Sequence, residues 1–303
     1  MKTILRTFVG CTAILFGTAC MGAVKYVPEN MKVELSLKVP GNNAVNYKLH
    51  PDKLENSYFD YEWRSDNKLP ITVFHKVEER DSCMRLTVQL TAAQDVYFNY
   101  RQLLSTGYRH DNCQFYMPGF WYRRNLRSPK KAPSFHTSDS WLVREDRLSA
   151  PLTGIFSEKE KRFMTVNRLD DFSMDALATH KEGEIILSGK TSLGFTGFEN
   201  QQGIAMLSFG FPYREAPKSY IRKLTLAPEV EAFQLMKKGE SVLLTWEIME
   251  SGADDFSDFI QHTWEHCYDT YAPKPVENSY SIADMKQVLS CFISAIEYEF
   301  STG

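Results

Sequence analysis

The sequence predicts a mainly β protein: a large antiparallel β-sandwich followed by a linker helix and one further C-terminal helix. Three observations predict it. Short runs alternating apolar and polar recur between Met31 and Ile248, the two-residue period of half-buried strands. Gly, Pro and Asn punctuate these runs with no helical period between them, which suits a sandwich and not alternating βα units. Beyond Ser251 the apolar spacing changes to three and four, the mark of an amphipathic helix.

Residues 1–19 are expected to be a signal peptide. Lys2 and Arg6 precede the short apolar run Phe8–Phe16, which is too brief to span a bilayer of roughly 30 Å. Gly17, Thr18 and Ala19 lead to Cys20, where a lipoprotein would carry its lipid, although Gly17 stands where the usual lipobox has an aliphatic residue. The chain is therefore expected to be exported, periplasmic or anchored at the outer membrane, touching a membrane only through that lipid. Without Lys2 and Arg6 there are 33 basic against 38 acidic residues, a formal charge of −5. An acidic, exported chain is no general nucleic-acid binder.

Residues 20–30 read as a tether and 31–250 as the sandwich. Strands are predicted at Met31–Val39, Tyr58–Trp63, Ile71–Val77, Met84–Leu90 and Val96–Tyr100. Further strands follow at Gly154–Phe156, Arg162–Val166, Glu184–Leu187, Thr191–Phe195, Ile204–Phe209, Tyr220–Leu226 and Val242–Ile248. In the linker 251–275, a helix over Asp254–Tyr271 puts Phe256, Phe259, Ile260, Trp264 and Cys267 on one face, and Pro273 and Pro275 stop it. A second helix is predicted from Ser281 to about Phe300 within 276–303. Of six cysteines, Cys11 leaves with the signal and Cys20 takes the lipid. An oxidising compartment would allow a Cys83–Cys113 disulfide, whereas Cys267 and Cys291 read as buried thiols.

The stretch from Phe115 to Asp146 has neither period and is the densest in Trp, Tyr and Arg. It is expected to be an ordered loop lining a site, since disordered segments are poor in aromatics. Trp121, Tyr122 and Trp141 offer flat faces for sugar rings. Arg123, Arg124, Arg127 and Arg144, with His136, offer donors to a carboxylate, so the matching ligand is a glycan, an acidic one such as a uronate in particular. The bland alternative is that Trp121 is core and the cations are solvated. Asp139 and Glu145 are the weak candidates for an acid/base pair, because glycoside hydrolysis uses two carboxylates. His262 and His266 share a helix face, but HTWEH lacks the order of a zinc-protease motif, and no metal or cofactor is expected.

Three segments carry a resemblance: YMPGFWYRRN at Tyr116–Asn125, HTSDSWLVREDRLSAPLTGIF at His136–Phe156, and FSDFIQHTWEHCYDTYAP at Phe256–Pro273. With the secretion signal, they resemble the N-terminal half of a Bacteroides-type six-hairpin glycosidase, in which a β-supersandwich precedes an (α/α)6 toroid. The resemblance implies a sandwich that packs against an α-helical catalytic domain, in cis or in trans, and shapes its sugar site. It implies no catalytic residue here, because that family's carboxylates lie mostly in the toroid and this chain reaches only its first helix. Two rivals are a self-sufficient surface glycan-binding lipoprotein and, more weakly, a small hydrolase using Asp139 and Glu145.

Overall fold

The structure, a computed structural model, describes residues 28–53, 60–80, 83–125, 133–171, 181–222, 225–273, 281 and 283–290. The signal peptide, Cys20, Arg127, Cys291 and the predicted helix beyond residue 290 lie outside the described residues. The chain divides into two compact units, Met1–Thr263 and Trp264–Gly303.

Hydrogen bonds link 17 strands of the first unit, and two faces emerge from the pairings. The first layer runs β2 (Val45–Lys53), β1 (Met31–Lys38), β6 (Val96–Arg109), β14 (Ile204–Phe211), β13 (Phe195–Gln201), β9 (Ser140–Arg144). The second runs β3 (Asp60–Arg64), β4 (Ile71–Glu79), β5 (Cys83–Ala92), β19 (Ser241–Gly252), β11 (Arg162–Arg168), β10 (Leu152–Ser157), β7 (Cys113–Met117), β8 (Trp121–Arg123). All these pairs are antiparallel. Strand β2 belongs to both layers: Val45–Leu49 pairs with β1, and from His50 the chain pairs with β3. A small flanking set, β12 (Gly183–Ile186), β18 (Val230–Met236) and β15 (Arg214–Glu215), includes the parallel pair β12–β18. Short β16 (Ser219–Arg222) and β17 (Thr225–Ala227) make a separate hairpin.

Alternation explains which side chains face inward. On β4 the buried residues are Ile71, Val73, His75 and Val77, and on β5 Met84, Leu86, Val88, Leu90 and Ala92 alternate inward, with Cys83 buried at its start. Contacts between layers close the core: Tyr100 of β6 against Trp246 of β19, Phe209 of β14 against Trp246, and Phe198 of β13 against Phe115 of β7. Each large side chain so enclosed contributes roughly 1.5–3 kcal/mol. Cys83 and Cys113 are buried free thiols, so the disulfide allowed by the sequence is not formed. Burial, reinforced by Glu247, pushes the Cys83 thiol up to about 12.

Helix α1 (Phe256–Tyr271) starts two residues later than predicted, because Asp255 is its N-cap: one carboxylate oxygen accepts from the backbone of Ser257 at 2.7 Å and Asp258 at 2.9 Å. Its first two turns belong to the sandwich unit and lie over β7, β10 and β11. Phe259 packs against Phe156, Phe163 and Tyr116. Strand β10 is therefore buried on both faces. In the second unit, residues 283–290 are helical, and Ser281 and Asp284 cap each other's backbone N–H, at 2.9 and 3.1 Å.

Candidate functional site

The stretch expected to lack regular structure contains the end of β7, all of β8 and all of β9. Trp121, wholly buried, is ringed by Phe135, Trp141 and Phe198 at centroid distances of 5.1, 5.6 and 4.9 Å. Its indole N–H donates to the Arg123 carbonyl (2.9 Å), and that of buried Trp141 to the Ser138 carbonyl (3.1 Å). Both tryptophans join the two layers as core, with no face left for a sugar ring. This departs from the ligand contact expected of them and matches the bland alternative for Trp121.

The segment Arg144–Arg147 is also interior. Arg144 donates through Nε and Nη2 to Asp146 (2.6 and 3.1 Å) and lies over the Tyr213 ring, so it too is held inside instead of facing a ligand. Arg147 pairs with Glu215. Glu145 Oε2 accepts from Arg168 Nη1 at 2.6 Å and from the Gly194 backbone at 2.7 Å, and Oε1 is buried without a hydrogen-bond partner. Desolvation pushes its carboxyl above the usual range against the pull of Arg168. Gly194 is required there, since a Cβ would stand 2.5 Å from the Gly210 carbonyl.

Asp139 is exposed and accepts from the Asn200 side chain at 3.1 Å. It stands just before β9 and Glu145 just after, so at about 3.3 Å per residue their backbones are roughly 15–20 Å apart. Glycosidase pairs need about 5–9.5 Å between carboxyls. The structure does not bring these two together, and it encloses one of them.

Tyr122 and Arg123 lie at the foot of α1. Tyr122, 53% exposed, faces outward from β8 with its ring 5.3 Å from Tyr116, and its hydroxyl accepts from the Gly119 N–H. Arg123 adopts φ 55°, a left-handed conformation unfavourable for a side-chain-bearing residue. That twist takes its guanidinium to 5.1 Å from the Phe256 ring centroid. Arg124 donates to the Asp111 carbonyl at 2.6 Å, and His136 is exposed. His262 lies 3.4 Å from Asp258, one turn back on α1.

A second polar cluster lies on the outward side of the first layer. Arg101 bonds Ser208 at 3.3 Å, Glu34 at 3.2 Å, and Glu199. Arg214 donates to Asn99 at 2.7 Å, to Ser36 at 2.8 Å, and to Glu231.

No protein-family model and no curated protein matches the chain. Among solved structures, a polysaccharide lyase is similar over 77% of this chain and 27% of its own, at 13% identity and a TM-score of 0.37. The Slr1438 protein of Synechocystis sp. PCC 6803 is similar over 71% of this chain and 73% of its own, at 6% identity and TM-score 0.39. A protein described as a kojibiose phosphorylase, from the human microbiome, is similar over 84% of this chain and 25% of its own, at 7% identity and TM-score 0.29. The chain spans about a quarter of the length of the lyase and the phosphorylase. These are distant likenesses of architecture.

Sequence reasoning missed the Arg101 and Arg214 cluster. Glu34, Ser36, Asn99 and Arg101 occupy the outward positions of β1 and β6, and polar residues there read as an ordinary solvated face. The available signal was that Arg101 sits mid-strand between the aromatic run Tyr97–Tyr100 and the apolar pair Leu103 and Leu104, where a solvated cation is unusual.

Proposed function

We propose that this chain is an exported, lipid-anchored, non-catalytic β-sandwich of a carbohydrate-processing protein. It packs against an α-helical domain and lends that domain's sugar site a rim made of Tyr122 and Arg123. The observation that carries the reading is the seating of α1. Its first two turns are clamped over β7, β10 and β11, and the exposed aromatic and cationic residues stand beside them. A fixed helix with a sugar-suited rim at its foot is what a supporting module needs. The interior placement of Glu145 favours this over the small hydrolase.

Affinity electrophoresis of the full chain through gels containing polygalacturonate tests the rim. Retardation is expected for the parent and not for Tyr122→Ala/Arg123→Ala, and equal retardation of both would remove the rim from the account. Reducing-sugar release by the parent chain alone would overturn the non-catalytic role. Labelling with a fatty-acid analogue in a bacterial host, with Cys20→Ala as control, tests the anchor.

A further inference from the structure

The outward cluster on the first layer borders a cavity of about 340 Å³ lined by Arg101, Ser140, Leu142, Glu184, Arg214 and Glu231 among others. That volume falls within the roughly 300–1,000 Å³ of small-molecule sites. We propose that this cavity is a second sugar subsite, one that takes the hydroxyl groups of a neutral glycan unit.

The hydrogen-bond inventory makes the case. Arg214 uses Nε and Nη2 on Asn99, Ser36 and Glu231, which leaves the two N–H groups of Nη1 without a partner among the described residues. Among the described residues, Glu231 engages only Oε1, and Glu184 only Oε2, toward Lys38 and the Ala44 backbone. Glu229, also at the cavity, engages only Oε1 among the described residues, toward the Lys218 backbone. The cavity therefore offers spare guanidinium donors and spare carboxylate acceptors, each oriented by its other contacts. A sugar hydroxyl both donates and accepts, so adjacent hydroxyls satisfy both kinds at once. Leu142, Ala216 and Val230 supply apolar wall for ring C–H groups.

Charge sets the class. Among the charged residues that line the cavity, Arg101 and Arg214 stand against Glu184, Glu215, Glu229 and Glu231. Carboxylates outnumber cations, so a uronate is repelled here although it suits the Tyr122–Arg123 rim. The two sites differ in ligand and share no residue, and either stands if the other fails.

The test is affinity electrophoresis of the full chain in separate gels of galactomannan, xyloglucan and mixed-linkage β-glucan, with polygalacturonate as the acidic counter-probe. At least one neutral polysaccharide is expected to retard the parent. Glu231→Gln, which keeps an acceptor for Arg214, is expected to weaken that retention about tenfold, the effect of losing one charge-assisted hydrogen bond. Tyr122→Ala/Arg123→Ala is expected to leave it unchanged. If Glu231→Gln melts below the parent, Glu229→Gln at an exposed position replaces it. No retardation in any neutral gel, or retention untouched by the glutamate variants, would overturn the proposal.

Discussion

Phe259 occupies the space that a side chain at Gly154 would need: a Cβ there would lie 2.6 Å from Phe259 Cζ and 3.1 Å from Thr165 Cγ2. The ring has little room to retreat, because Phe156, Phe163, Tyr116 and Phe256 surround it. Gly154→Ala is expected to cost about 1–3 kcal/mol through overpacking, and Phe259→Ala about 3–5 kcal/mol. The double variant should lose less than the sum, since the new methyl refills part of the vacated space. Urea-unfolding midpoints of the four proteins measure that coupling, and strict additivity would mean that the two residues do not share the space.

Trp121 and Tyr122 are neighbours in sequence with opposite roles, and two substitutions separate them. Trp121→Ala should destabilise the fold by about 3–5 kcal/mol, because it empties the joint between the layers. Tyr122→Ala should change stability by less than about 1 kcal/mol, as expected at a half-exposed position. Thermal melts read both, and a stable Trp121→Ala protein would contradict the interior placement of that ring.

The buried Glu145–Arg168 pair gives the hydrolase alternative a direct trial. Glu145→Ala leaves Arg168 enclosed without its main partner and should cost about 3–5 kcal/mol. Replacing both at once, Glu145→Leu/Arg168→Met, should recover part of the loss, because no fully enclosed charge is left without its partner; Asp170, which also pairs with Arg168, is partly exposed and keeps the Thr245 N–H. A folded Glu145→Ala protein that had lost only a hydrolytic activity would reverse the structural assignment.

His75 should give the sandwich an acid-sensitive core. Its ring is enclosed, bonded to the Tyr100 hydroxyl at 2.9 Å and tilted against Trp63 with centroids 5.0 Å apart, and burial lowers its pKa from 6.5 to about 3. The unfolded chain therefore takes up this proton first. The stability from the neutral folded ring is complete above about pH 6.5 and is lost as pH falls toward 3, at up to about 1.4 kcal/mol per unit. Urea titrations between pH 7 and 4 should show a shallower acid-side loss for His75→Gln than for the parent; parallel slopes would refute the assignment.

How much of this was legible depended on what covers each strand. Strands β4 and β5 are open to solvent on one side, and the alternation of ITVFHKV and MRLTVQL located both. Strands β7, β9 and β10 are buried on both sides, by the opposite layer and by outer elements such as α1, so alternation disappears. This is why Phe115–Asp146 looked structureless. Strand β2 went unread because its alternation of Val45, Tyr47 and Leu49 with polar residues is short and ends where the chain changes layers at His50, followed by Pro51, and β13 begins at Phe195, where its predicted strand ended. The site divided along the same line. Exposure of Tyr122 and enclosure of Trp121 follow from one being outward and the other inward on a strand that the sequence did not reveal.

Strand β19, near the end of the sandwich in sequence, is central in the second layer, with Val88 of β5 opposite Leu244 and Val166 of β11 opposite Ile248. During synthesis, β3–β5 and the set β8, β7, β10 and β11 are therefore two separate ribbons with raw edges until Ser241–Gly252 emerges. Pairings between such distant parts of a chain form slowly. The layer closes like a zip whose slider is threaded last, so a nascent chain halted before Ser241 would present two apolar, unpaired strand edges to any chaperone or protease that meets it.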